Sequence, residues 1–380
     1  MPNCIVQSAV ALYLALPTAF CTIGTPPPRT GELLATAPAT SQEAKGFSLG
    51  TTLFWKSNEE IDLKLNRAKI LANSVRIDMD WAVIQPTETG AWEWRETDRI
   101  VNAATRRGLG VVAMVGFAPK WARDAACVNE YGCAPADPAK FANFAGQVAA
   151  RYKTTVKKFE IWNEPNTRSF FAPQPNVTKY AAMLSQAGAA IKQASPDAKV
   201  GSGGLAPAYG ENAPVNFVSQ LYQAGATNFD AVGLHPYSPP ALPSQHAKWS
   251  AFTQIEGDPS IPDMQTVLGV MKANGKGDNE IWLTEYGAAT HGTGIKATLE
   301  DQHFKDYDSV PDSYVDEALH AKMIDEFMHY KFREAKVTVR MMYGFYDIKS
   351  KEQSSHPEDF FGLYRKDGVP KQAIIPFLKR

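Results

Sequence analysis

Two glutamates, each closing a short apolar segment, are the residues of this chain best suited to chemistry. Glu164 lies in Phe159-Glu160-Ile161-Trp162-Asn163-Glu164-Pro165-Asn166, where an extended run that begins at Val156 stops at a proline. Glu285 ends Glu280-Ile281-Trp282-Leu283-Thr284-Glu285-Tyr286-Gly287 in the same manner. Parallel α/β proteins carry their reactive groups at the carboxyl ends of strands. Two carboxylates there are the minimal equipment for cleaving a glycosidic bond. At a separation of about 5–5.5 Å, one protonates the leaving oxygen while the other attacks the anomeric carbon, with retention of configuration. Glu164, between Trp162 and Pro165, is placed for the partial desolvation that favours a protonated acid. Either glutamate alone reads equally well as a structural ion-pair partner. The pair points to catalysis.

These side chains need a scaffold that brings distant strand ends together. From Phe47 onward, short apolar strands alternate with amphipathic helices, the pattern of a parallel sheet. Strands are expected at 47–54, 74–80, 109–117, 156–162, 198–203, 229–235, 280–285 and 337–345. Helices are expected near 59–71, 97–107, 138–152, 177–194, 214–224, 264–273, 313–335 and 370–378. Eight such units predict an α/β fold, a (β/α)8 TIM barrel forming a single catalytic domain over 47–380. Glu164 and Glu285 then close strands four and seven and face each other across the mouth. The loops after strands three, six and seven are long, the last covering about 288–312, and all fall at that same end.

Composition narrows the classes. Lys and Arg total 39 against 40 Asp and Glu, with no block of like charge, so the chain offers nothing for nucleic acid or an anionic membrane to recognise. No Gly-rich phosphate loop, Gly-x-Ser-x-Gly elbow or zincin His pair occurs; Gly201-Ser202-Gly203-Gly204 lacks the lysine of a phosphate loop. Neither a cofactor nor a metal is expected. Of four cysteines, Cys127 and Cys133 close a short loop rich in turn formers, and a disulfide there would persist in an oxidising compartment. Residues 1–21 include an apolar run too short to span a bilayer, read as a signal peptide although no Lys or Arg precedes Arg29. Residues 22–46, rich in Pro, Ala and Thr, read as a disordered linker. The expectation is a secreted or cell-envelope protein, monomeric, without stable membrane insertion after processing.

The sequence around both glutamates resembles clan A glycoside hydrolases. Trp162-Asn163-Glu164-Pro165 is similar to that clan's acid/base signature, and Thr284-Glu285-Tyr286-Gly287 to its nucleophile signature on strand seven. Arg76, in Val75-Arg76-Ile77-Asp78, matches the strand-two arginine that keeps the nucleophile ionised. His235-Pro236-Tyr237 matches the strand-six pair, whose tyrosine hydrogen-bonds the nucleophile. Within the clan the chain resembles family 39, particularly the bacterial exopolysaccharide hydrolases of that type, and neighbouring family 5. The resemblance implies a retaining glycosidase hydrolysing O-glycosyl bonds in a polysaccharide or oligosaccharide. Asn163 would then donate to a sugar hydroxyl. His235 also reads as an ordinary barrel-wall histidine.

The eighth strand departs from the clan, having no Trp where many members place one under the sugar. Tyr343 or Phe345 takes that place. Trp55 and Trp121, just past strands one and three, read either as sugar platforms or as loop packing. Two further functions fit the same residues. A transglycosylase shares the first chemical step and differs only in the acceptor of the second. A carbohydrate-binding barrel that no longer cleaves would keep the groove without needing both glutamates.

Overall fold

Eight parallel strands pair edge to edge and close on themselves in a computed structural model that describes residues 43–208, 210–245, 266–300, 313–330 and 335–378. In chain order the strands are β1 (Ala44–Gly50), β2 (Ser74–Asp80), β3 (Gly110–Gly116), β4 (Val156–Ile161), β5 (Lys199–Ser202), β6 (Ala231–Leu234) and β7 (Glu280–Leu283), then β8 (Ile295–Lys296), β9 (Ser313–Tyr314) and β10 (Lys336–Tyr343). The barrel runs β1-β10-β7-β6-β5-β4-β3-β2, and β8 pairs with β9 in a separate ribbon. The helices are α1 (Asn58–Leu71), α2 (Trp81–Ile84), α3 (Arg95–Arg106), α4 (Pro138–Tyr152), α5 (Val177–Ala194), α6 (Pro214–Gln223), α7 (Val267–Ala273), α8 (Glu317–His329) and α9 (Ile375–Leu378). The expected (β/α)8 barrel is the observed fold. The expected signal peptide, and the linker as far as residue 42, lie outside the described residues.

Local chemistry accounts for most helix starts. Ser57, Asp137, Asn176, Thr266 and Asp316 each accept a backbone N–H of the first turn, satisfying a donor the helix cannot. Pro138 occupies the first turn of α4, where its missing N–H costs nothing.

Three boundaries differ from expectation. β1 begins at Ala44, inside the segment read as linker, because Ala44, Lys45 and Gly46 pair with Val339, Arg340 and Met341. It also stops at Gly50, whose φ of +51° turns the chain into the bends at 51–55. The helix expected over 313–335 is shorter: Ser313 and Tyr314 are consumed by the β8–β9 ribbon, and Asp316 caps the helix only afterwards. The 370–378 segment is a 3-10 turn followed by the short α9.

The barrel interior is filled rather than hollow. Ala44, Val112, Ala231, Trp282, Val339 and Met341 form one buried cluster inside it. Gly201 makes room for the Trp282 ring, since a Cβ there would sit 2.4 Å from it. The opposite strand faces, with Val75, Ile77, Met79, Phe159 and Ile161, join the helices in the main core.

Candidate active site

At the carboxyl end of β4 the backbone turns sharply. Trp162 (φ +73°) and Glu164 (φ +42°) both occupy the left-handed region, and so does Phe117 (φ +61°) just past β3. Such conformations in non-glycine residues persist only where surroundings hold them, and they cluster at functional sites. Here the Trp162 N–H donates to Val115 O (2.8 Å), its indole N–H to Phe170 O (2.5 Å), and the Glu164 N–H to Gly204 O (3.1 Å). The Trp162 ring is fully buried among Phe117, Phe141 and Phe171. The strand thus ends on an anchored tryptophan, and Glu164 emerges above it at the mouth.

Arg76 ties the other residues together. On β2 its guanidinium donates from Nε to Glu160 Oε2 (2.5 Å), from Nη1 to Ser48 Oγ (2.9 Å) and Glu285 Oε1 (2.8 Å), and from Nη2 to Asn163 Oδ1 (2.9 Å). Tyr237 donates its hydroxyl to the other Glu285 oxygen at 3.0 Å. Glu285 is thereby held at both oxygens. Asn163 has its carbonyl committed to Arg76, so its amide Nδ2 is the part left to donate. One carboxylate oxygen each from Glu164 and Glu285 and a ring nitrogen of His235 all lie within 4.8 Å of one another. That spacing lets both carboxylates act on one bond.

His235 bridges the two halves. Its Nδ1 lies 2.8 Å from Glu164 Oε1 and its Nε2 lies 3.1 Å from Thr284 Oγ1. Thr284 has a single hydroxyl proton, which goes to Glu160 Oε1 at 2.6 Å. Glu160 is tied to Arg76 and also accepts the Gly204 N–H (2.8 Å). It follows that Nε2 donates to Thr284, which leaves Nδ1 to face Glu164. Gly204 is what allows the approach: a Cβ there would meet His235 Nε2 at 2.1 Å and Thr284 Oγ1 at 2.5 Å. Gly204→Ala is therefore expected to displace His235 and lower kcat at least tenfold, with the barrel still folded by circular dichroism.

Electrostatics follow from this wiring. Burial works against the Arg76 charge, but the carboxylates of Glu160 and Glu285 outweigh it and raise the guanidinium above its ordinary value. Burial likewise opposes protonation of His235, yet Glu285 and Glu164 together raise it. Tyr237 is pushed well above the ordinary tyrosine range, first by burial and then by Glu285, so it stays a donor. By spacing alone, Glu164, His235 and Glu285 could close on a cation. Arg76, hydrogen-bonded to Glu285, already supplies positive charge there, and His235 Nδ1 is engaged with Glu164. The donor set suits proton transfer better than metal binding.

The remaining candidates fall into two groups. Tyr343 stands edge-on to Tyr237 (6.3 Å between centroids) and to Phe361 (5.5 Å), beside the catalytic pair. Trp121 packs edge-on against the buried Trp81 and donates its indole N–H to Gln85 O, which is loop packing. Trp55 is 69% exposed, has φ +61° and rests edge-on against Phe54, outside the hydrogen-bonded group. Cys127 and Cys133 are disulfide-bonded, with Sγ atoms 2.08 Å apart. Sequence reasoning overlooked Ser48, Glu160 and Thr284. Glu160 carried a signal, an ionisable residue inside an apolar strand; Ser48 and Thr284 carried none.

Part of the chain matches a known family, and the fold matches several solved structures. Residues 141–251 match the profile of Glycosyl hydrolases family 39, a segment that holds Glu160, Asn163, Glu164, His235 and Tyr237 but not Glu285. A family 39 glycoside hydrolase from Bacteroides cellulosilyticus WH2 superposes with a TM-score of 0.63 at 17% identity, over 88% of this chain and 62% of that one. A monomeric beta-xylosidase from Caulobacter crescentus CB15 gives 0.60 at 15%, over 90% and 69%. An exo-beta-1,4-mannosidase from Opitutaceae bacterium strain TAV5 gives 0.55 at 16%, over 92% and 61%. The chain thus spans less than two thirds of the first of these structures. At such identities the likeness is one of fold. A search of curated proteins finds no match. Over residues 141–251 the chain resembles the glycoside hydrolases of family 39.

Proposed function

We propose that this protein is a retaining glycosidase that hydrolyses O-glycosyl bonds in a polysaccharide or oligosaccharide. The observation that carries the reading is the close approach of the Glu164 and Glu285 carboxylates, with Arg76 and Tyr237 on the second and His235 on the first. A Glu285 oxygen attacks the anomeric carbon, and the bond to the leaving oxygen breaks. That oxygen keeps the electron pair and takes the proton from Glu164. In the second step Glu164 removes a proton from water as the water attacks the same carbon, and Glu285 departs with its electrons. Asn163 Nδ2 donates to a hydroxyl of the reacting sugar, and Tyr343 borders that sugar. The chemistry calls for no cofactor.

Arg76 and Tyr237 stabilise the charged form of Glu285 as a leaving group and fix its direction. His235 stores the proton of the acid: the Thr284–Glu160 chain settles one ring nitrogen as donor and turns the other to Glu164. The raised His235 value means the pair keeps this proton to higher pH than free imidazole would. In His235→Ala the proton rests on a carboxyl alone, whose ordinary value is about two units below that of imidazole. The alkaline limb of kcat/KM is expected to move to lower pH in that variant, read from pH profiles of the two proteins. An unmoved limb means that His235 has no part in holding the proton.

The test of the reaction class is stereochemical. The protein is incubated with a panel of aryl xylosides, mannosides and glucosides, and the first-formed anomer is read by proton NMR. Retention is expected; an inverted product, or no turnover on any such substrate or on envelope polysaccharide, overturns the reading. The apolar amino-terminal run and the disulfide support an exported protein, secreted or held in the cell envelope. No helix among the described residues is long and apolar enough to cross a membrane.

A further inference from the structure

The disulfide loop brings an aromatic ring to the end of the barrel that carries the catalytic pair. Tyr131 lies within it, between Cys127 and Cys133, and is half exposed. Its ring stacks on Phe117 (4.6 Å between centroids, 24° between planes), and its hydroxyl donates to Asp80 Oδ2 at 2.7 Å. The loop has little freedom to carry the ring away. Gly132 packs so closely that a Cβ would fall 1.9 Å from Ser169 O, and its carbonyl accepts the Ala172 N–H (3.1 Å). An anchored aromatic with an exposed ring is the usual partner of a sugar's apolar face.

Beneath that ring, β2 carries a row of charge. Successive same-face positions of a strand are about 6.6 Å apart, so Arg76, Asp78 and Asp80 climb one side from the level of Glu285 to the mouth. Asp80 is occupied by Tyr131 and, as the cap of α2, by the Val83 N–H. Asp78 is different. It is 7% exposed, and its enclosed Oδ1 has no hydrogen-bond partner among the described residues. Its Oδ2 lies over Gly50, where a Cβ would approach to 3.3 Å. The charges that bear on it belong to Arg76, Asp80, Glu285 and Glu160, so it neighbours the catalytic group without being hydrogen-bonded into it. Burial pushes its carboxyl up to about 7, against the pull of Arg76. An enclosed acceptor left unpaired is unfavourable, a cost that the packing around Asp78 does not offset.

We infer that Asp78 and Tyr131 form a sugar subsite next to the catalytic pair, which holds the pyranose adjoining the one being cleaved. A hydroxyl group of that sugar donates to Asp78 Oδ2, the oxygen over Gly50, and its apolar face lies on the exposed Tyr131 ring. The disulfide keeps the ring in place before substrate arrives, which lowers the ordering cost of binding. The inference rests on the glycosidase reading and adds a site of length recognition to it.

The test separates the two. Glu285→Gln protein is titrated by calorimetry with xylo-, manno- and cello-oligosaccharides of one to six sugars, so that binding is read without turnover. Affinity for the best series is expected to rise about tenfold as the second or third sugar is added. Tyr131→Ala and Asp78→Asn, made in that background, are expected to remove most of this step while leaving single-sugar affinity unchanged. Tyr131→Phe, which keeps the ring and loses the Asp80 bond, retains at least half of the step on a logarithmic scale. A step that survives in both Tyr131→Ala and Asp78→Asn, or the lack of any step in all three series, overturns the subsite. Turnover is assayed separately with Glu285 intact, so a failed length step leaves the reaction class untouched.

Discussion

Glu164→Gln is expected to lower kcat/KM by 10² to 10⁴ on substrates with a sugar leaving group, and far less on aryl glycosides whose phenol leaves unaided. General acid catalysis matters in proportion to the basicity of the departing oxygen, and a nitrophenolate needs almost none. The burden in this variant shifts to the second step, where Glu164 would have been the base, so a glycosyl-enzyme is expected to accumulate and give a burst of phenol. Glu285→Gln removes the nucleophile and is expected to abolish turnover on both substrate types, since no leaving group compensates for a missing bond-forming atom. The two variants together map the roles: selective loss for one, uniform loss for the other. Equal losses on both substrates in both variants, by steady-state and burst kinetics, contradict the assignment.

Arg76→Met is expected to damage folding and turnover together. The guanidinium is buried and serves Glu160, Ser48, Glu285 and Asn163 at once. Removing one partner of a buried ion pair strands the other, at about 3–5 kcal/mol. Here two carboxylates are stranded, and the upper end of that range is expected in urea unfolding. Turnover is expected to fall at least 10³-fold, because Glu285 loses both its counter-charge and its orientation. Arg76→Lys separates the two effects. One ammonium restores charge but cannot reach acceptors on four residues, so it recovers much of the stability and little of the activity. Full recovery of kcat in the lysine variant would show that charge alone matters and that the fork geometry does not.

Much of this site was legible before any coordinates. Glu164 and Glu285 sit at strand ends, where a carboxylate's chemistry is local, while Arg76, His235 and Tyr237 showed through the resemblance of their short motifs to those of clan A glycoside hydrolases. Three side chains were not legible as partners. Glu160 showed only as an ionisable residue inside an apolar strand, Thr284 and Ser48 carried no signal, and their roles exist only where β4, the end of β7 and β1 converge around Arg76 and Glu160. Trp121 shows the reverse case, an aromatic beside a promising loop whose ring the structure packs against Trp81. Sequence cannot separate the two fates of an aromatic because both need the same residue type.

By itself, the order of residues determined the alternation of strand and helix, hence the (β/α)8 barrel, and placed both acids at strand ends. Those properties follow from periodicity, capping and turn chemistry, which act over a few residues. Tertiary structure alone decided that the two acids approach within 4.8 Å, that His235 Nδ1 lies 2.8 Å from Glu164 Oε1, and that Asp78 is enclosed with one oxygen unpaired among the described residues. Each is set by closure of the barrel, which brings together side chains from strands far apart in the chain at distances that no local pattern encodes.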